Sequence, residues 1–248
     1  MRTVRVGSLL VGTRPVLVAS SMAETVDQML DGARQAVEAG ADCVELRIDR
    51  LPDVDAVGRL VREMRAPHIV ACRPPEFGGA FAGGESARIE RLLAAVTAGA
   101  TAVDVEVFTD PGLRDPLVDA AQRRGTPVLV GYENMKATPS LDEMIAGLRR
   151  VAELGPDLAK LAVRASSPDD LVALLCAARE AGRILGVPFA AVSLGPYGAA
   201  SRPVALLLGS SFTYCATGGA AAPGQLTVGE TRDVLRILSA ERWSCSSN

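Results

Sequence analysis

The sequence predicts a single-domain (β/α)8 TIM barrel over residues 1–248, and three observations predict it. Short β-branched runs alternate with longer amphipathic segments from end to end, the pattern of repeated strand–helix units. No linker or low-complexity stretch divides the chain, apart from the small-residue segment 218–224. No Gly-rich phosphate loop of the dinucleotide or P-loop kind follows the first strand, which counts against an open doubly wound sheet.

Taken in order, the first strand covers residues 16–21, Val-Leu-Val-Ala-Ser-Ser. Residues 25–39 follow as a helix, with Val26, Met29, Leu30, Ala33 and Val37 at helical spacing and Gly40 to end it. The second strand covers 43–49 and the third 68–73. A helix over 85–98 stops at Gly99, and the fourth strand runs over 102–107. The next helix stops near Gly125, ahead of the fifth strand at 127–133. Pro139-Ser140 with Glu143 resembles a capping box and opens a helix over 141–154, which Gly155 ends. The sixth strand is 158–164. Gly186 closes the helix after it, the seventh and eighth strands are 189–195 and 212–217, and a helix over 229–238 completes the eighth unit.

Nearly half the residues are apolar, ample for a barrel core, and the net charge is −3. Acidic and basic residues are mixed, so there is no basic field for nucleic acid or an anionic membrane. Arg123-Arg124 and Arg149-Arg150 read as solvated helix surface. Cys43, Cys72, Cys176, Cys215 and Cys245 are scattered, odd in number and without a C-x-x-C pair, as in a reduced cytoplasmic protein. Neither a signal peptide nor a membrane-spanning segment is expected. His68 is the only histidine, so no histidine-ligated metal centre is expected.

Barrel enzymes place their chemistry at the carboxyl ends of the strands. The second strand ends Glu45-Leu46-Arg47-Ile48-Asp49, three charges on one face facing the barrel mouth. Arg73 ends the third strand, Asp104 and Glu106 alternate with valines in the fourth, Glu133 ends the fifth, and Lys160 stands between Ala159 and Leu161 in the sixth. A buried ion-pair network is one reading of this set; a ligand-facing site is the other, favoured by the cost of burying so many charges. The chain has lysine only at 136 and 160. Inside an apolar strand Lys160 loses hydration, which favours a neutral, nucleophilic amine, a form arginine cannot take.

The order of these motifs resembles the type I 3-dehydroquinate dehydratase family over almost the whole chain. The resemblance rests on Ser20 and Met22, Glu45-x-Arg47-x-Asp49, Arg73 with Gly78-Gly79, and Asp104-Val-Glu106. It continues through Thr138-Pro139-Ser140, Asp157-Leu-Ala-Lys160-Leu-Ala-Val, Gly195, Gly198, Ser201-Arg202 and Pro223-Gly224-Gln225. It implies that Lys160 forms an imine with a carboxylated cyclic ketone, after which a β-hydroxyl leaves as water. It further implies that Arg202 and Gln225 hold the ring carboxylate, that Glu45, Arg47 and Arg73 hold the ring hydroxyls, and that Ser20 belongs to the substrate-binding set. No cofactor and no metal are implied, and a homodimer is.

The chain departs from the family where the proton moves. The family has Ser-x-His-Asp-Phe at the end of the fifth strand; this chain has Gly131-Tyr132-Glu133-Asn134-Met135. The family glutamate four residues after the strand-three arginine is Phe77 here, and Glu76 beside it replaces that carboxylate only if the loop shifts. Phe77 is expected to dry the surroundings of Glu133 and raise its pKa towards neutrality, so that Glu133 takes over proton transfer. Arg164, Leu194 and Ala221 stand where the family has methionine, methionine and serine, and Arg164 is expected to lower the lysine pKa, to hold a further anion or equally to pair with a loop carboxylate. A decayed site, a lysine-imine enzyme with an aldol-type or carbon–carbon bond-forming outcome, and a non-catalytic ligand-binding protein are the alternatives.

Overall fold

The computed structural model describes residues 2–217 and 224–238. Eight parallel strands, each followed by a helix, form the barrel in the order expected. They are β3 (Val16–Met22), β4 (Cys43–Arg47), β5 (His68–Ala71), β6 (Val103–Glu106), β7 (Val128–Asn134), β8 (Leu158–Arg164), β9 (Phe189–Leu194) and β10 (Phe212–Ala216). The helices are α1 (Val26–Glu38), α2 (Val54–Glu63), α3 (Glu85–Ala98), α4 (Pro111–Arg124), α5 (Leu141–Glu153), α6 (Pro168–Ile184), α7 (Gly198–Leu207) and α8 (Val228–Leu238). β10 pairs with β3, and the parallel ladder runs from there through β9. At the remaining seam the Ser211 amide donates to the Phe189 carbonyl (2.7 Å), while the Ala191 amide donates to the Ser210 hydroxyl (3.2 Å). The closure is therefore part main chain and part serine.

Local chemistry sets the boundaries of these elements. The Thr25 hydroxyl accepts from the Gln28 amide and starts α1, which buries Val26, Met29, Ala33 and Ala36 along one stripe. The Ser140–Glu143 capping box forms as expected at the start of α5. Gly99 ends α3 with φ of 99°, a left-handed conformation that L side chains rarely adopt. Among the described residues, no helix is long and apolar enough to cross a membrane.

Strand alternation divides the apolar residues into two cores. Outward residues such as Val44, Leu46, Val105, Leu161 and Val163 pack against the helix ring. Inward residues Cys43, Ile69, Ala102, Leu129 and Leu158 form an apolar floor inside the barrel. A hairpin absent from the expected elements, β1 (Val4–Val6) and β2 (Leu9–Val11), adds Val4, Val6 and Val11 to that floor. One inward position further along three of these strands, the floor gives way to charge: Cys43 to Glu45, Ala102 to Asp104, Leu158 to Lys160. The pleat alone therefore stacks a polar layer on a dry one at the carboxyl ends.

Candidate active site

Above the floor lies a cavity of about 660 Å³, open to solvent. Ser20, Glu45, Arg47, Arg73, Glu133, Lys160, Arg202 and Gln225 all line it, although they come from four strands, the loop after β5 and two later segments. Lys160 projects from the middle of β8, where Nζ lies 2.7 Å from Asp104 Oδ2 and 2.6 Å from Glu133 Oε1. Gly131, inward-facing on β7, makes that approach possible. A Cβ there would stand 3.0 Å from Glu133 Oε1 and 3.3 Å from Lys160 Cε.

Arg73, just past β5, is the hub of the buried layer. Its guanidinium contacts Asp104 and Glu133 and lies 3.3 Å from Glu106 Oε1 and 3.7 Å from Glu45 Oε1. The Ser20 hydroxyl donates to Glu45 Oε2 at 2.7 Å, fixing that carboxylate from β3. Arg88 enters from α3, fully buried, and pairs with Glu106 Oε2 at 2.7 Å. Arg73, Arg88 and Lys160 thus face Glu45, Asp104, Glu106 and Glu133, three cations against four carboxylates.

That excess sets the protonation states. Burial lifts Glu106 to about 7, because Arg73 and Arg88 only partly offset it and Glu133 and Asp104 repel a further charge. Glu133 goes the other way. Burial pushes it up, but Arg73 and Lys160 together pull it down to about 2. The expectation of a Glu133 raised towards neutrality is therefore corrected: it is dry, as expected, but two cations outweigh dryness. Lys160 is corrected with it. Burial and Arg73 lower its pKa, yet Asp104, Glu133 and Glu45 carry it above its ordinary value, so the resting side chain is an ammonium.

Arg202, on α7, is a cation of a different kind. It is 2% exposed, and among the described residues its partners are main-chain carbonyls alone, those of Gly224 (3.2 Å), Tyr214 (3.3 Å) and Ser193 (3.3 Å). Burial pulls it down to about 10, with no described carboxylate in contact to oppose the effect. A buried guanidinium that no described carboxylate contacts, facing a cavity, has the chemistry to accept an anion from outside.

Three further expectations change. β4 stops at Arg47, and Asp49 turns into a short 3-10 helix (Ile48–Arg50), away from the mouth. There it accepts from Arg47 Nη2 (2.5 Å) and from the Arg73 and Ala80 amides, so its role is to brace the loop. Phe77 lines the cavity while Glu76 is exposed and does not, which removes Glu76 as a replacement carboxylate. Arg164 is half-buried beyond Ala162 and is not among the residues lining the cavity. Leu194 does line it; Ala221, Pro223 and the rest of 218–223, like Cys245, lie outside the described residues. His68 stands at the start of β5, the opposite end from the site, bonded to the Ala66 carbonyl at 2.9 Å.

Two residues central to this geometry had little or no signal of their own. Asp104 read only as one charge on an alternating strand, and its position against Lys160 depends on strands 56 residues apart. Tyr214 sits in an apolar strand, where nothing distinguishes a cavity-facing tyrosine from a core one.

Residues 17–242 match the family model of type I 3-dehydroquinase. The chain is 35% identical over 227 residues to the 3-dehydroquinate dehydratase of Methanopyrus kandleri, covering 90% of this chain and 100% of that one. It is 32% identical over 226 residues to that of Klebsiella pneumoniae strain 342, covering 87% and 90%. Among solved structures, the 3-dehydroquinate dehydratase of Geobacillus kaustophilus superposes with a TM-score of 0.90 at 26% identity, over 98% of each chain. The type I enzyme of Clostridium difficile, solved with covalently modified comenic acid, superposes with a TM-score of 0.88 at 26% identity, over 96% and 97%.

Proposed function

This chain belongs to the type I 3-dehydroquinase family, and from that premise we propose that it dehydrates 3-dehydroquinate through an imine on Lys160, with Glu133 moving the proton. The observation that carries the reading is the seat of Lys160. Its nitrogen is held between two carboxylates at 2.6 and 2.7 Å on the wall of a cavity that also presents the uncompensated cation Arg202. A carboxylated ketone satisfies both: its carboxylate neutralises Arg202, and its carbonyl meets the lysine.

The low resting pKa of Glu133 is compatible with a base. As the amine attacks, Glu133 and Asp104 are both within reach to accept the proton it sheds. In the iminium the positive charge remains beside Glu133 and keeps it a carboxylate. Removing a proton from the neighbouring carbon turns the iminium into a neutral enamine, so the cation that held Glu133 acidic disappears as Glu133 takes the proton. Glu133 then returns that proton to the departing hydroxyl, water leaves, and the iminium reforms for hydrolysis. Arg73 remains in contact throughout and limits how far the pKa climbs.

Steady-state assay of 3-dehydroquinate consumption tests the proposal. The wild type is expected to form the conjugated dehydration product and Lys160→Ala to form none. Absence of turnover by the wild type, or turnover by Lys160→Ala, overturns it.

A further inference from the structure

Among the described residues lining the cavity, Tyr214 alone has a buried polar atom without a hydrogen-bond partner. The residue is 5% exposed, and its ring centroid lies 5.5 Å from Lys160 Nζ. Phe212 packs edge-on against the ring, centroids 6.0 Å apart, and fixes its plane. A ring without the hydroxyl would fill the same space, and a buried hydroxyl left unpaired destabilises a fold. Nothing among the described residues therefore accounts for the oxygen. Burial, then the charges of Glu45 and Asp104, drive the phenol well above its ordinary range, so it remains a donor at every working pH.

We infer that the Tyr214 hydroxyl donates a hydrogen bond to the oxygen on the carbon that Lys160 attacks, holding it through the carbinolamine until it leaves as water. The inference rests on the imine reading above. The step balances without a proton from tyrosine: the N–C bond forms, the carbonyl π bond opens, and the C–O bond then breaks. Starting from the ammonium, two of the three nitrogen protons leave with the oxygen as water, relayed by the carboxylates. Tyr214 keeps its own proton, and its contribution is a fixed donor where charge develops on oxygen.

Tyr214→Phe in the full chain is the test, mixed separately with 3-dehydroquinate and with pyruvate, quenched by borohydride at successive times and read by intact mass. The expected result is a Tm at or above that of the wild type and imine formation at least about tenfold slower with either ketone. Imine formation at the wild-type rate overturns the inference. So does a Tm several degrees lower, which would mean that the hydroxyl fastens the fold. A wild type trapped by pyruvate but not by 3-dehydroquinate defeats the substrate reading alone, and the rate of Tyr214→Phe with pyruvate then decides the role of the tyrosine. Wild type trapped by neither ketone overturns both.

Discussion

Replacing Glu133 by Gln keeps the shape of the side chain, removes its charge 2.6 Å from Lys160 Nζ and leaves Asp104 as the carboxylate in contact with the lysine. Removing one partner of a buried ion pair ordinarily costs about 3–5 kcal/mol. The cost here is smaller, because the layer holds four carboxylates against three cations and Glu106, freed from repulsion by Glu133, ionises more readily. We expect a net loss of stability of about 1–2 kcal/mol. The lysine is affected more: losing one of its two contacting carboxylates lowers its pKa, because a charge that favours the ammonium is gone. A more neutral amine attacks a ketone at least as readily, while the carbon proton loses the base proposed for it. Turnover should therefore fall by about 10²–10⁴-fold with imine formation preserved. Rapid mixing with 3-dehydroquinate, a borohydride quench and intact mass separate the two steps, and the variant should accumulate an adduct that retains the water. Turnover within threefold of the wild type would refute the base assignment. Loss of the adduct along with turnover would refute the division of labour between Glu133 and Lys160.

Three further outcomes follow from the same geometry. Arg202→Met removes a cation without a contacting carboxylate, so stability to urea should change by less than about 2 kcal/mol, while KM for 3-dehydroquinate rises about 100-fold or more. A drop in kcat with KM unchanged would place the substrate carboxylate elsewhere. Glu106, held at about 7, favours its protonated form when folded; its stabilising contribution is complete below pH ~4 and is lost as pH rises through about 7, up to ~3 kcal/mol. Urea denaturation at pH 5 and pH 8 should therefore show a larger decline for the wild type than for Glu106→Gln, and equal declines would contradict the assignment. Gly131→Ala forces Glu133 Oε1 and Lys160 Cε back from a Cβ at 3.0 and 3.3 Å. Activity should fall about tenfold or more with little change in Tm, since small displacements of reacting groups are costly.

The parts of this protein legible in the sequence are those governed by local rules. Alternation in Glu45-Leu46-Arg47 and Ala159-Lys160-Leu161 gave the inward face, and Ser140 with Glu143 gave a helix start to the residue. The hairpin was not legible, because strands of three residues such as Val4–Val6 are too short to show a period. The turning of Asp49 out of strand register depends on the Arg73 and Ala80 amides, which lie 24 and 31 residues on. The direction of the Glu133 shift depends on distances to Arg73 and Lys160, contributed by other strands. Desolvation can be read from apolar neighbours in sequence; the opposing charges could be read only after the barrel had brought them together.

The most direct test of the account is intact mass of the wild-type chain after incubation with 3-dehydroquinate and borohydride, followed by location of the modified residue. One adduct per chain is expected, on Lys160, lighter by one water than the reduced imine of the unreacted substrate. An adduct on another residue, an adduct that keeps the water, or no adduct would contradict it.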